Sequence, residues 1–120
     1  MIGQLELVRR IEIALRRGGD YLTLDDLVGL ARAGKCQFWA ADGAAVASEI
    51  LTYPRKKILN CFMAAGELPA IFALQDRITD FAREQGCTAM VCHGRTAWGT
   101  IGAPHGWQAQ AIHYARELRP

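Results

Sequence analysis

The 120-residue sequence predicts a single α+β domain built on one mixed sheet, and three observations carry that expectation. Asp42-Gly43 stands between two β-forming stretches, the signature of a tight antiparallel hairpin, because a two-residue turn wants positive φ at its central positions. A long helical segment, residues 67–85, joins two apolar β-type stretches. A strand–helix–strand crossover makes its two strands parallel and is almost always right-handed. The second of those strands, residues 87–92, is nearly all apolar, as befits a strand covered on both faces. The expected order is two N-terminal helices, a three-strand antiparallel meander, the crossover helix, a parallel strand, a short helix and a final antiparallel strand.

Each element has a local reason. In residues 4–17, Leu5, Val8, Ile11 and Leu15 recur at helical spacing, widened by Leu7 and Ala14. Arg16 and Arg17 suit the negative end of the helix dipole, and Gly18-Gly19 stops it. The second helix starts at Thr23, a hydroxyl N-cap followed by Asp25 and Asp26, and ends at Gly34. Residues 35–41 and 44–53 form the hairpin around Asp42-Gly43, with Phe38 and Trp39 on opposite faces. Pro54-Arg55-Lys56 turns the chain into a third strand, residues 57–65. Gly66 ends the meander, and Pro69 fits the first turn of the crossover helix, where a missing N–H is harmless. Ile71, Leu74, Ile78, Phe81 and Ala82 make its buried stripe and Gly86 stops it. Residues 95–101 read as the short helix and 107–116 as the last strand.

Composition narrows the function classes. A net charge of +2 with scattered basic residues argues against a nucleic-acid binder, which gathers its charge into a stripe. No apolar run approaches the roughly 18 residues that span a bilayer. The start lacks a basic segment followed by an apolar one, which argues against a secretory signal. Cys36, Cys61, Cys87 and Cys92 all lie in apolar, strand-like stretches, which suits reduced, buried thiols in a reducing compartment.

The element order, with Ala82-Arg83-Glu84-Gln85-Gly86-Cys87 leading into one strand and His105-Gly106-Trp107 opening the last, resembles the GNAT (Gcn5-related N-acetyltransferase) fold. In element order the resemblance spans nearly the whole chain; residue by residue it lies mainly within 66–107. It is nearer still to the small GNAT-like proteins of tailed bacteriophages. In those, a strand ending in Gly-Arg-x-x-Trp is followed by a Gly-Trp, here Gly94-Arg95-Thr96-Ala97-Trp98 and Gly106-Trp107. That group includes both acetyltransferases and virion or internal head proteins. GNAT enzymes hold the acetyl-CoA pyrophosphate on a Gln/Arg-x-x-Gly-x-Gly/Ala loop that opens the long helix, where unpaired N–H groups and the helix dipole favour an anion. The matching stretch is Ala64-Ala65-Gly66-Glu67-Leu68-Pro69-Ala70, so the resemblance makes Ala65, Gly66, Glu67, Leu68 and Ala70 the cofactor-binding candidates. This loop departs from the pattern. It has one glycine, an acid at Glu67, a missing donor at Pro69 and no basic residue, and the first GNAT strand is absent ahead of the first helix.

Taken together, the resemblance and its departures favour a phage or prophage protein that acts without catalysis, as a virion component or protein-binding module in a virion or host cytoplasm. Its partners would be other phage or virion proteins or a host protein, with self-association through the edge of the last strand as a further expectation. The alternative is an acetyl-CoA-dependent N-acetyltransferase acting on an amine of a protein or small molecule. For that reaction the resemblance nominates Glu49 as base through water and Tyr114 as acid to the leaving thiolate, with Tyr53 on the same strand face as Glu49. His93, at a strand end where ligands bind in open α/β sheets, is a second base candidate. Arg95 suits a carboxylate or phosphate, and Trp98 and Trp107 could stack on a ligand. Each has a plainer alternative: His93 as a helix cap, Arg95 as the partner of an acid on the long helix, the tryptophans as core aromatics, and Glu49 and Tyr114 as solvent-facing strand residues. The spacing of Cys87, Cys92, His93, His105 and His113 matches no usual zinc pattern.

Overall fold

A computed structural model describes residues 2–95 and 97–120. Helix α1 (Gln4–Arg17) buries Ile11 and Leu15. Helix α2 (Leu24–Arg32) opens on a full capping box, in which the Asp26 amide donates to Thr23 Oγ1 at 3.1 Å and the Thr23 amide to Asp26 Oδ2 at 2.9 Å. Those Thr23 bonds hold the Asp26 carboxyl below its ordinary range, the backbone N–H contributing most. Strands β1 (Gln37–Ala41), β2 (Ala44–Thr52) and β3 (Lys57–Gly66) form the predicted antiparallel meander. Helix α3 (Leu68–Glu84) then crosses over to β4 (Ala89–Cys92), which pairs with β3 in parallel. The sheet order is β1-β2-β3-β4. A one-turn helix α4 (Trp98–Ile101) and a 3-10 turn, Ala103–His105, follow. Among the described residues no helix is long and apolar enough to cross a membrane.

Alternation along the strands builds two cores. On one face Ala45, Ala47, Met63 and Ala65 pack against Ile11 and Leu15 of α1 and Leu27 of α2. On the other, Ala44, Val46 and Leu59 pack against Leu74, Ile78 and Ala82 of α3. Trp39 faces α3, edge-on to Phe81 at 5.4 Å, and its Nε1 donates to the buried Ser48 Oγ at 2.9 Å. Phe38 points to the opposite face and is 37% exposed.

The last strand is a correction. Residues 107–116 form no strand and are exposed beyond Trp107. Trp107 is the reason: its Nε1 donates to Gln75 Oε1 at 3.0 Å and its amide to the Gly102 carbonyl. The chain is thereby fastened to the flank of α3 instead of being laid along β4. The short helix also starts later than expected, at Trp98, after a turn closed by the Trp98 amide on the Arg95 carbonyl.

One irregularity positions the site. β2 and β3 run in register from Ala44↔Gly66 to Ala47↔Met63, then resume at Ser48↔Cys61, leaving Phe62 as an extra residue on β3. Such a bulge bends its strand and sharpens the local twist. The parallel ladder to β4 ends next to it, at Cys61↔Cys92.

Candidate functional site

Beyond the bulge, β3 continues through residues 62–66 with no β4 residue paired to it, because β4 ends at Cys92, and this unpaired stretch is the gap in the parallel ladder. The gap lies at the carboxyl ends of the strands, beside the α3 N-terminus, where open α/β sheets receive ligands. Gly66, at φ +114°, makes the turn from β3 into α3. The Glu67 amide is spent on the Gly43 carbonyl at 2.9 Å, which ties the helix start to the β1–β2 turn. The Ile71 amide closes the first helical turn on Glu67. Pro69 has none to give, and Leu68 and Ala70 carry first-turn amides with no acceptor among the described residues. The Glu67 carboxylate is engaged by the Ile2 amide at 2.7 Å. Ala65 is buried under α1, and Ala70 packs toward the sheet. A shallow hollow of about 560 Å³ adjoins this helix start, lined by Leu68, Pro69, Phe72, Ala73, Ile101 and His105.

Glu49 and Asn60 meet across β2 and β3 on the α1/α2 face, with Val91 of β4 beside Asn60, one residue short of the end of the parallel ladder. Asn60 Nδ2 donates to Glu49 Oε2 at 2.9 Å. A carboxylate only accepts, so the amide has to turn its NH2 toward Glu49. Its oxygen is then left as a buried acceptor with no donor among the described residues, in a residue 8% exposed. The pair therefore holds a half-buried carboxylate in a fixed orientation, with the Asn60 oxygen buried behind it.

The remaining predicted residues are dispersed. His93 and Arg95 are exposed just past β4, and the His93 ring stands edge-on to His113 at 5.3 Å. Tyr114 is 84% exposed on the unpaired C-terminal segment, and Tyr53 lies in the β2–β3 turn, outside the strand. The structure thus brings Glu49 to the strand gap but sets neither tyrosine on a strand. Trp98 packs edge-on to Phe72 at 5.9 Å, and the His105 ring stacks on Phe72 at 3.7 Å, so both tryptophans help dock the α4 region on α3. Gly94 allows this, since a Cβ there would lie 2.6 Å from the Trp98 ring. Burial, with Cys92 nearby, pushes the Cys61 thiol up to about 12; burial also raises Cys92, and raises Cys36 with help from the Glu49 charge. These three thiols stay protonated at neutral pH and are poor nucleophiles. Among the described residues no group of His, Cys, Asp and Glu is placed to hold a metal. Sequence reading missed Asn60 and the Phe62 bulge; an asparagine in an otherwise apolar strand was the available signal for the first.

No family model matches the sequence, and no curated protein matches it significantly. Solved structures do match in fold. A probable acetyltransferase superposes with a TM-score of 0.70 at 11% identity, over 96% of this chain and 91% of its own. A Trypanosoma brucei acetyltransferase gives 0.64 at 10% identity, over 92% and 94%. A ribosomal-protein-alanine N-acetyltransferase from Brucella melitensis biovar Abortus 2308 gives 0.57 at 14% identity, over 96% and 94%. At these identities the likeness establishes the fold alone, which is GNAT-like.

Proposed function

We propose that the protein is an acetyl-CoA-dependent N-acetyltransferase. The observation that carries this reading is the end of the β3–β4 ladder next to the Phe62 bulge, with Glu49 fixed by Asn60 close to it. The residues present fit the cofactor in reduced form. The Leu68 and Ala70 amides, at the positive end of a 17-residue helix, would hold the pyrophosphate, and the gap would admit the thioester arm. Acetyl-CoA supplies the activated acyl group; the rest falls to this chain. Glu49 takes the proton of the attacking amine, directly or through one water, and the hydrogen bond from Asn60 keeps that carboxylate aimed. With two amide donors and no basic side chain in the loop, affinity for the cofactor is expected in the micromolar range or weaker. Isothermal titration with acetyl-CoA and CoA tests binding, and thiol release with an amine panel tests transfer. Glu49→Gln should bind acetyl-CoA as the parent does and transfer roughly 100-fold more slowly or worse. No binding up to millimolar ligand overturns the reading.

The second reading is a non-catalytic interaction module, such as a phage virion component or a host-protein binder. It is favoured by the depleted loop, with Glu67 and Pro69 where an anion cradle has glycine and free amides. The titration separates the two.

A further inference from the structure

β4 leaves one edge of the sheet open. Residues Ala89–Cys92 pair with β3 on one side and with no strand among the described residues on the other. The four residues Ala-Met-Val-Cys include no lysine, proline or other charge to block pairing, which is how exposed edges are normally protected. Beside this edge runs a groove of about 260 Å³ between α3 and β4, lined in part by Thr79, Arg83, Cys87, Met90 and Trp107.

The segment after Trp107 is the element without a place. Ile112, Tyr114 and Leu118 are 75%, 84% and 86% exposed, an apolar concentration within seven residues, whereas apolar side chains scattered singly need no explanation. The segment does not lie along its own β4. A Cβ at Gly99 would sit 3.7 Å from Ala109, and His113 reaches His93, so the segment passes α4 and arrives at the tip of the strand.

We propose that residues 108–116 of one copy pair as a strand with the open β4 edge of a second copy, in a reciprocal exchange. Ile112 and Tyr114 share a strand face and enter the partner's α3–β4 groove. The outward N–H and C=O groups of Ala89–Cys92 gain partners, and the exposed apolar side chains gain cover. An aromatic side chain brings roughly 150–250 Å² of its own. Two such rings with the surfaces that receive them account for roughly 600–1,000 Å², and Ile112 with the paired backbones brings the total to the order of 1,200 Å², the lower end of specific interfaces. Nothing in this depends on acetyl-CoA.

Sedimentation velocity with light scattering on the full chain, across the micromolar range, tests it. The parent is expected at twice the 13.2 kDa monomer mass. The Ile112→Asp, Tyr114→Asp double variant alters only exposed side chains and should keep the parent circular-dichroism spectrum, while dimer affinity falls by about 30-fold or more. Hydrogen exchange should show Ala89–Cys92 amides slowed in the dimer and released in the variant. A monomeric parent, a dimer indifferent to the double variant, or unchanged exchange at Ala89–Cys92 each overturns the proposal.

Discussion

Gly66→Ala should be the most damaging single-methyl change in the chain. At φ +114° any L-residue is strained, and the added Cβ would overlap the Gly43 carbonyl oxygen and lie 2.7 Å from Ala44 Cα. Both obstacles are backbone, in a turn that the Glu67 amide also holds through Gly43 at 2.9 Å, so no flexible side chain is available to yield. Strain of about 1–3 kcal/mol for the dihedral and about 1–3 for overpacking gives roughly 2–6 kcal/mol. Gly34→Ala is the internal control: its φ is +74° but nothing lies within 4 Å of its Cβ, so only the dihedral cost, about 1–2 kcal/mol, applies. For a domain of this length 1 kcal/mol moves Tm by about 3–5 °C, so Gly66→Ala should melt roughly 6–30 °C below the parent and Gly34→Ala about 3–10 °C below. Calorimetry and urea unfolding read both. Equal losses in the two variants would refute the close approach of the α3 start to the β1–β2 turn.

Three further outcomes follow from the same geometry. Ser48→Ala should cost about 1–3 kcal/mol in urea unfolding, because Ser48 is fully buried, accepts from Trp39 and donates to Gln37 Oε1 at 2.8 Å, and its loss strands the indole N–H. Thr23→Ala should cost about 1 kcal/mol as a lost N-cap. It should also let the Asp26 carboxyl rise only part of the way toward its ordinary value in an NMR titration, because the Thr23 hydroxyl is lost while the backbone N–H, the larger of the two groups that lower it, stays. The raised thiols Cys61, Cys92 and Cys36 ionise in the unfolded chain before they do in the folded one. Their contribution is intact below pH about 9 and is lost as pH rises toward the folded values, so stability should fall through the alkaline range and less steeply in Cys61→Ala. A slope identical in that variant would count against a buried, protonated Cys61.

The elements that could be read from the sequence are those fixed by local chemistry. Thr23 and Gly34 bracket α2, Asp42-Gly43 makes the hairpin, and Gly66 and Gly86 bracket the crossover, each through a φ preference or a cap that needs no distant partner. What escaped depends on register. An unbroken ladder from Ala44↔Gly66 would set Glu49 opposite Cys61; the extra Phe62 puts it opposite Asn60, so the pair at the strand gap exists only because of a bulge that alternation does not reveal. The expected last strand failed for a similar reason. Its β-forming residues Ile112 and Tyr114 signal strand, but Gln75, far upstream on α3, captures Trp107 and directs the chain elsewhere.

Deleting Phe62 separates what the bulge does for folding from what it does for function. On β3, Leu59 and Cys61 face α3 while Met63 and Ala65 face α1 and α2, so removing the residue between Cys61 and Met63 restores plain alternation without turning any core side chain around. The cost to folding is the loss of one partly buried ring from the α1/α2 cluster, about 1–2 kcal/mol, offset in part by a continuous β2–β3 ladder. The deleted chain should therefore fold, with a circular-dichroism spectrum like that of the parent. Its straightened β3 loses the sharpened twist at the point where β4 departs, so the gap narrows and acetyl-CoA affinity should drop by at least about tenfold, as the bulge is the device that re-aims the strand. Unchanged affinity in a folded deletion variant would show that the parting of the strands is set elsewhere, by the α3 start or by α4. A variant that fails to fold would show instead that the bulge is needed to fit the sheet between its helices. Binding lost with fold retained is the outcome that marks Phe62 as a residue kept for the site, at a position where the sheet itself has no need of it.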